Sequence, residues 1–276
     1  MNVNTLSKEY FKISGADDKA IVGDITYANA YPDYLVIFVH GFKGFKDWGT
    51  HELMAEAFAK AGVYFMKFNF SHSGVKPEDL SDVNDLQSFS NNTPTKELYD
   101  LDKVITYAKN RFPNLKFVLL GHSRGGALSI LQATKDKRII KLITLAAIPS
   151  FRSLWNKEDE ADWKETGVRY ILNGRTKQQM PLSVGLLNDV LAHEIDYNLQ
   201  SAASSLNKPW LIAQGTEDSA VKVEVAEEFH RLQKASALLI LTGGNHVLGA
   251  SHPYAKKELP TDLQYFVDAS IAFIVQ

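Results

Sequence analysis

Short runs of apolar residues recur along the chain and alternate with stretches of helical periodicity. Most of these runs are continuously apolar and have no polar residue at every second position. Continuous runs of this length are typical of strands that helices cover on both faces. The predicted strands are, in chain order, Tyr34–Val39, Val63–Phe70, Lys116–Leu120, Lys141–Ala146, Pro209–Ala213 and Leu238–Leu241.

Between the strands, apolar residues recur every three or four positions, which predicts helices. Thr93 and Pro94 suit the cap and first turn of one helix. Thr261–Gln264 has capping-box spacing at the start of the C-terminal helix. The predicted helices are marked by four sets of residues: Leu53, Met54, Ala57, Phe58 and Ala61; Leu98, Leu101, Ile105 and Ala108; Val221, Val225, Phe229 and Leu232; and Leu263, Phe266, Val267, Ser270, Ile271 and Ile274.

This alternation of strands and helices predicts an α/β fold with a mostly parallel sheet and helices on both faces. Glu9–Ser14 and Ala20–Ala28 flank a turn, which predicts a hairpin added to the edge of the sheet. One segment, Ser150–Lys208, is rich in charge and gives no clear strand. We therefore expect a single domain over residues 1–276, with a small helical, cap-like insertion at about 150–208.

Composition narrows the classes of function. The chain has 276 residues with 30 basic and 32 acidic side chains interspersed, so nothing indicates a nucleic-acid partner. It contains no cysteine, which excludes disulfides, thiolate nucleophiles and cysteine zinc sites. It also has no H-E-x-x-H, G-x-G-x-x-G or Walker pattern, so we expect no metal and no cofactor. Nothing in the composition indicates an oligomeric state.

Location is predicted from the apolar content of the chain. The N-terminal residues lack a basic region followed by an apolar stretch, so no signal peptide is expected. No apolar run reaches the roughly 18 residues that a membrane-spanning helix needs. The sequence therefore predicts a soluble, cytoplasmic protein with no membrane partner.

The motif that carries the chemistry is Gly121-His122-Ser123-Arg124-Gly125-Gly126. It matches G-x-S-x-G, follows the predicted strand Lys116–Leu120 and precedes the helical stretch Ala127–Ala133. A serine on a sharp strand-to-helix turn stands clear of the sheet, and small neighbours let the backbone close. The helix N-terminus behind it favours developing negative charge. Ser123 is therefore the predicted nucleophile.

A serine hydroxyl needs a base, and the base needs a group that orients it. Gly243-Gly244-Asn245-His246 follows the last predicted strand, and His246 is favoured as the base over the nearby His252. Asp218 follows the strand Pro209–Ala213 and is favoured over Glu217 as the orienting carboxylate. The order serine, aspartate, histidine is the order that this type of fold uses.

The tetrahedral intermediate needs N–H donors for its oxyanion. One predicted donor is the backbone N–H of Arg124, directly after the nucleophile. The other is the N–H of Phe42, in the glycine-rich loop His40–Gly49 that follows the first predicted parallel strand. His40, at the start of this loop, is a candidate substrate-binding residue. In the insertion, Trp155, Trp163 and Tyr170 would form an apolar roof over the substrate.

At these residues the chain resembles serine hydrolases of the α/β-hydrolase superfamily. The motifs HGFKG, GHSRGG, GTEDSAV and GGNHVLGASHP are similar to those of dienelactone-hydrolase-like proteins and of bacterial cinnamoyl or feruloyl esterases. In those esterases a Phe after His-Gly and the residue after the nucleophile supply the oxyanion N–H groups, which implies Phe42 and Arg124. They also carry a short insertion between the sixth and seventh strands. Dienelactone hydrolases proper use a cysteine nucleophile, which this chain lacks.

The predicted function is a carboxylesterase that acts on small acyl or aryl esters through an acyl-enzyme. Pockets on this scaffold vary widely, so the sequence leaves alternatives open. A peptidase or amidase could use the same three residues, and so could a thioesterase. A binding protein that retains the fold without catalysis is the alternative from a different class. The expected partner is a small-molecule ester.

Overall fold

A twisted sheet of eight strands forms the centre of the molecule, as a computed structural model of residues 5–28 and 32–276 describes it. Its strand order is β1-β2-β4-β3-β5-β6-β9-β10, and β7 and β8 form a separate sheet. The strands in the described part of the chain are β1 (Leu6–Ser14), β2 (Ala20–Ala28), β3 (Tyr34–Val39), β4 (Tyr64–Asn69), β5 (Lys116–His122), β6 (Ile139–Leu145), β7 (Val168–Leu172), β8 (Gln179–Ser183), β9 (Trp210–Gly215) and β10 (Ala237–Leu241).

The pairing of the strands confirms the predicted sheet. From β4 through β3, β5, β6 and β9 to β10, every neighbouring pair is parallel. The predicted hairpin is also confirmed, since β1 pairs antiparallel with β2 at the sheet edge and β2 pairs antiparallel with β4. Because the six parallel strands point the same way, the loops after their carboxyl ends meet along one edge, where sites form in such sheets.

Helices follow the strands and pack on both faces of the sheet. All four predicted helices are confirmed, as α1, α3, α8 and α9 in the list below. Thr93 caps α3 as expected, because its hydroxyl accepts the Lys96 N–H at 3.3 Å. The predicted capping box is wrong, since α9 follows Pro260 and has no side-chain cap. The helices described are α1 (His51–Lys60), α2 (Leu86–Ser90), α3 (Pro94–Arg111), α4 (Arg124–Lys135), α5 (Glu160–Thr166), α6 (Val184–Ala192), α7 (Leu199–Ser205), α8 (Val223–Leu232) and α9 (Thr261–Val275).

Two apolar cores enclose the sheet, one on each face. Successive strand residues point to opposite faces, so Ile37 belongs to one core and its neighbour Val36 to the other. Helices α3, α4 and α8 cover the first face, and α1 and α9 cover the second. Burial on both faces explains why the strands are continuously apolar. The sheet thereby becomes a rigid support for the loops at its carboxyl edge.

The insertion between β6 and β9 differs from the prediction. We expected no strand in it, but β7 and β8 form an antiparallel hairpin within it. The turn between them contains Asn173-Gly174, a dipeptide typical of hairpins, although the flanking strands show no clear alternation in sequence. The second strand carries Pro181, which weakens its appearance as a strand in sequence. Helix α7, near the end of the segment, packs on α4 and α8.

Candidate active site

Ser123 occupies the sharp turn between β5 and α4. Its φ of 55° and ψ of −119° lie in a region that side-chain-bearing residues rarely adopt. The turn closes because its neighbours are glycines. A Cβ on Gly125 would overlap the carbonyl oxygen of Val39, and one on Gly121 would overlap the carbonyl oxygen of Gly125. The strained backbone holds Ser123 at the carboxyl edge of the sheet, where 8% of the residue is exposed.

Asp218 and His246 are joined by a hydrogen bond of 2.7 Å between Asp218 Oδ2 and His246 Nδ1. The other carboxylate oxygen, Oδ1, accepts the backbone N–H groups of Ala220 and Val221 at 2.8 and 2.9 Å. Oδ2 also accepts from Gln214 Nε2 at 2.8 Å. These contacts fix the carboxylate, so His246 carries its proton on Nδ1 and leaves Nε2 as an acceptor.

The contacts of Asp218 keep it ionised. Burial by itself would raise the pKa of this carboxyl, but the hydrogen bond from His246 and the backbone N–H of Val221 oppose it. The net effect lowers the pKa to about 2. A carboxylate that stays charged at neutral pH can stabilise an imidazolium on His246.

Ser123 and His246 line one cavity of about 230 Å³ at the carboxyl edge. Asp218 follows β9 and His246 follows β10, so the sheet brings both loops to the side of the turn after β5. Within the described part of the chain, the Ser123 hydroxyl makes no hydrogen bond. The three predicted residues thus converge on one edge, with the aspartate behind the histidine and the serine in the same cavity.

The two alternative residues lie elsewhere. His252 accepts the backbone N–H of Gly49 on its Nδ1 at 2.8 Å and stacks on Trp48. It does not line the cavity of Ser123. Glu217 is exposed, and its backbone N–H donates to Gly244. His252 therefore contacts the loop after β3, and the backbone of Glu217 contacts the loop after β10.

The backbone N–H groups of Phe42 and Arg124 have no acceptor among the residues that the structure describes. Arg124 is the first residue of α4, and first-turn N–H groups lack an intrahelical partner. Gly41 brings the loop after β3 close to the nucleophile, since a Cβ on it would lie 3.1 Å from the Cβ of Ser123. The two predicted oxyanion donors therefore lack an acceptor within the described chain, and they lie directly after Ser123 and in the loop that approaches it.

The side chain of Arg124 is buried beside the Phe42 ring, a feature that the sequence did not indicate. Its Nε donates to Glu97 at 2.7 Å, and Asn92 donates to the other oxygen of Glu97. Its guanidinium carbon lies 5.3 Å from the centroid of Phe42, which stacks on Phe89. These contacts hold both loops that carry the predicted oxyanion donors.

Three buried histidines hold the same loops and stay neutral. Burial lowers the pKa of His40 to about 4 and that of His51 and His122 to about 3. His122 donates from Nε2 to the carbonyl of His246 at 2.9 Å, and His40 donates from Nδ1 to the carbonyl of Gly41 at 2.9 Å. The structure does not bring His40, a predicted substrate-binding residue, to the cavity lining, because its ring packs on Phe70 inside the protein.

The three aromatic residues predicted as a roof do not line the cavity either. Trp163 is fully buried, and Trp155 packs on it edge to face with ring centroids 5.4 Å apart. Their indole N–H groups donate to Leu182 and Glu160. The two tryptophans therefore form the insertion's own core, which is where large rings with a satisfied N–H are stable.

Tyr170 points away from the core, and the turn after its strand reaches the cavity instead. Tyr170 is 59% exposed on β7. Asn173 and Arg175, in the turn between β7 and β8, line the cavity together with the loop residue Lys43. These residues reach the cavity because β7 and β8 form a hairpin, and the sequence signal for its turn is the Asn173-Gly174 dipeptide.

Comparison with known families now identifies the chain. A family model described as serine aminopeptidase, S33, matches residues 30–193, which is more than half of the sequence. The chain belongs to this family. The predicted α/β-hydrolase fold and the resemblance to its serine hydrolases are thereby confirmed. Comparison with curated proteins finds no match.

Solved structures of this fold superpose over nearly the whole chain. GrgF, an α/β hydrolase from Penicillium sp. sh18, has a TM-score of 0.74 at 15% identity, covering 97% of this chain and 98% of its own. Est1E from Butyrivibrio proteoclasticus with ferulic acid bound has a TM-score of 0.71 at 20% identity, covering 96% and 98%. Dienelactone hydrolase from Anabaena variabilis ATCC 29413 has a TM-score of 0.64 at 13% identity, covering 98% and 97%. At these identities the likeness shows the fold.

Residues 5–28 and 32–276 contain neither a membrane-spanning helix nor a metal-binding cluster. None of the helices there has the length and apolar character that crossing a bilayer requires. No group of three or more histidine, aspartate or glutamate side chains there is arranged to hold a metal ion. The first residues, which bear on the signal-peptide prediction, lie partly outside the described residues.

Proposed function

We propose that the protein is a serine esterase that hydrolyses small carboxylic esters through an acyl-enzyme on Ser123. His246 is the general base, Asp218 orients it, and the N–H groups of Phe42 and Arg124 bind the oxyanion. The observation that carries the proposal is the Asp218–His246 hydrogen bond of 2.7 Å at the cavity that Ser123 lines. Such an arrangement activates a hydroxyl for attack on a carbonyl.

The first half of the reaction acylates the serine. Nε2 of His246 takes the proton of Ser123 as Oγ attacks the ester carbonyl, and the carbonyl oxygen becomes an oxyanion between the two N–H donors. The tetrahedral intermediate then collapses. The bond to the alcohol oxygen breaks, and the alcohol leaves with the proton from His246.

The second half releases the acid. His246 takes a proton from water, and the resulting hydroxide attacks the acyl carbon on Ser123. Collapse of this second intermediate breaks the bond to Oγ, which recovers a proton from His246. The net reaction consumes one ester and one water and yields one acid and one alcohol, with the enzyme unchanged.

The dimensions of the cavity favour a small substrate. About 230 Å³ lies below the usual range for drug-sized ligands. Its lining includes the rings of Phe42 and Trp48, which suit an acyl chain or an aryl group. Small acyl or aryl esters therefore fit better than polymeric substrates.

The family's description makes an aminopeptidase the second candidate function. Such an enzyme must bind the α-ammonium group of its substrate, and a carboxylate is the natural partner for that charge. Among the described residues, the cavity lining contains no aspartate or glutamate and two cationic side chains, Lys43 and Arg175. This charge would repel an ammonium group, which favours an ester. Cleavage of amides and thioesters would use the same three residues, so both substrate classes are included in the experiment below.

The experiment combines active-site labelling with a substrate panel. A fluorophosphonate should label the wild type and fail to label Ser123→Ala. Ser201→Ala is the matched control, because Ser201 is exposed on α7, and it should label fully. The panel contains methyl esters, acyl-CoA thioesters and aminoacyl-naphthylamides. The proposal predicts ester turnover that Ser123→Ala loses, whereas turnover confined to naphthylamides would favour the aminopeptidase. Full labelling or turnover in Ser123→Ala would refute the proposal.

A further inference from the structure

The cavity of Ser123 carries an excess of positive charge. Lys43 reaches it from the loop after β3, and Arg175 reaches it from the turn of the β7–β8 hairpin. The cavity's other titratable side chains, apart from the predicted base His246, are His51 and His122. Burial holds the pKa of both at about 3, so they add no charge at neutral pH. The positive charge of the cavity at neutral pH therefore comes from Lys43 and Arg175, which lie in different parts of the chain.

Lys43 is a half-buried cation without a counter-ion. It forms no ion pair with any carboxylate of the described residues. Burial lowers its pKa, and no neighbouring carboxylate opposes the effect. Its ammonium group lies 5.8 Å from the Phe42 ring centroid. Removing a charge from water without pairing it is unfavourable, so an anion bound beside Lys43 would supply a missing partner.

Arg175 is held in place and still has donors to spare. Its Nη2 donates to both oxygens of Asp82, at 2.5 and 2.6 Å. Its backbone N–H donates to Asn173 Oδ1 at 3.1 Å, which fixes the turn. Within the described residues, Nε and Nη1 have no acceptor. A guanidinium that is anchored by one nitrogen can still bind an oxyanion with the others.

We propose that the natural ester carries a carboxylate, which Lys43 and Arg175 bind while the ester carbonyl lies at Ser123. The proposal rests on the proposed esterase function and names its substrate class. Lys43 and Arg175 contribute two positive charges and Asp82 one negative charge, so the net local charge is about that of one cation. This balance matches a singly charged carboxylate better than a doubly charged phosphate.

The test compares esters that differ only in charge. Monomethyl glutarate is paired with methyl glutaramate, in which a neutral amide replaces the acyl-side carboxylate. 3-Acetoxypropanoate is paired with 3-acetoxypropanamide, which places the charge on the alcohol side. The wild type should show a kcat/KM about 10-fold or more higher for the anion in at least one pair. The anionic rate should fall with added salt more than the neutral rate.

The two cations are removed one at a time. Lys43→Met keeps most of the length of the side chain, and Arg175→Gln keeps a polar group. Each should reduce the anion-to-neutral ratio of kcat/KM about 3-fold or more, mainly by raising KM for the anion. The ratio cancels general effects on the catalytic machinery, because the two esters of a pair undergo the same chemistry.

Two controls separate charge from structure. Asp82→Asn removes the negative charge beside Arg175 but keeps a side-chain oxygen that can accept from its guanidinium, so the ratio should stay the same or rise. A fall as large as that of Arg175→Gln would show that the ion pair acts only on the hairpin and would overturn the role of Arg175. Lys177→Gln removes an exposed cation from the same turn and should leave the ratio unchanged.

Binding to Ser123→Ala distinguishes failure of this proposal from failure of the esterase proposal. Calorimetry should detect the preferred anionic ester binding about 10-fold more tightly than its amide, and Lys43→Met in the same background should reduce this difference. If the wild type hydrolyses neutral and anionic esters equally, the carboxylate proposal is wrong and the esterase proposal stands. If no ester is hydrolysed, the esterase proposal fails. Equal binding of anion and amide would then overturn the carboxylate proposal too.

Discussion

At the scale of single residues, the candidate site depends on a division of charge between buried groups. Asp218 stays ionised because His246 and two backbone N–H groups donate to it. His51 and His122 stay neutral because burial opposes their protonation. The site thus presents one fixed negative charge behind the base, with neutral imidazoles around it. The ionised Asp218 and the neutral buried histidines each lead to a measurable prediction.

Replacing Asp218 with Asn should remove the negative charge behind His246 and reverse its hydrogen bond. The amide would donate to Nδ1, so the base would carry its proton on the wrong nitrogen. We expect kcat for a neutral ester to fall about 10³- to 10⁴-fold. Glu217→Gln is the matched control, because it changes the adjacent, exposed carboxylate. Initial rates of ester hydrolysis by the two variants test this prediction. Equal rates in Asp218→Asn and Glu217→Gln would contradict the role assigned to Asp218.

The buried histidines should make the protein less stable in mild acid. Their folded pKa values of about 3 to 4 lie below the ordinary 6.5, so the unfolded chain binds more protons as the pH falls. The folded protein therefore keeps its full stability with respect to these histidines above pH 6.5, and it loses stability as the pH falls towards 4. Each histidine should contribute up to about 1.4 kcal/mol per pH unit to the free energy of unfolding.

Denaturant titrations between pH 7 and pH 4.5 test this slope. His51→Gln should reduce it by about one proton, because a buried titrating group has been removed. His193→Gln is the control at a histidine whose side chain is 40% exposed, and it should change the slope less than His51→Gln does. An unfolding free energy that does not fall over this range, or an unaltered slope in His51→Gln, would show that the histidines are not neutral in the folded protein.

At the scale of elements, the site depends on how closely the turn after β5 and helix α4 approach β3. Gly125 lies in the first turn of α4 directly against the backbone of Val39. Contacts between backbones cannot be relieved by rotating a side chain, so even one added methyl group must displace an element. The same turn carries Ser123 and the N–H of Arg124.

Gly125→Ala should therefore lower the free energy of unfolding by about 1–3 kcal/mol, because the added methyl group overpacks the contact with β3. Gly174→Ala in the β7–β8 turn is the matched control, since a Cβ there meets no atom within 4 Å. It should alter stability by less than about 0.5 kcal/mol. Chemical denaturation of the two variants checks the difference, and equal stabilities would contradict the packing described for the turn.

At the scale of the whole molecule, the regular part of the fold and the cavity residues Ser123, His246 and Phe42 could be predicted from sequence. The cavity's charged residues and the position of the insertion's aromatic rings could not. The parallel strands are continuous apolar runs because both faces are buried, and that burial leaves a direct trace in the sequence. The turn at Ser123 was also visible, because its geometry requires glycines beside it. By contrast, the sequence does not reveal that Trp155 and Trp163 lie in the insertion's own core, because it shows that a ring is apolar but not which apolar surface covers it.

Charged residues of the cavity were missed for a related reason. Lys43 and Arg175 are separated by more than a hundred positions, and the β7–β8 hairpin brings them to one cavity. Glu97 pairs with Arg124 from α3, a helix that carries many charged residues, so its burial cannot be recognised from the sequence pattern. Such contacts depend on tertiary packing, so local pattern and spacing carry no record of them.

The central claim is that Ser123 becomes covalently acylated during turnover, and intact-protein mass spectrometry after rapid quenching tests it most directly. With a methyl ester as substrate, the protein should gain the mass of one acyl group, and fragmentation should locate it on Ser123. His246→Ala should form no such adduct on the same timescale. The samples are quenched in acid, and the ester is chosen so that its acyl group is hydrolysed slowly from the enzyme. Turnover with no adduct under these conditions, or an adduct on another residue, would contradict the account.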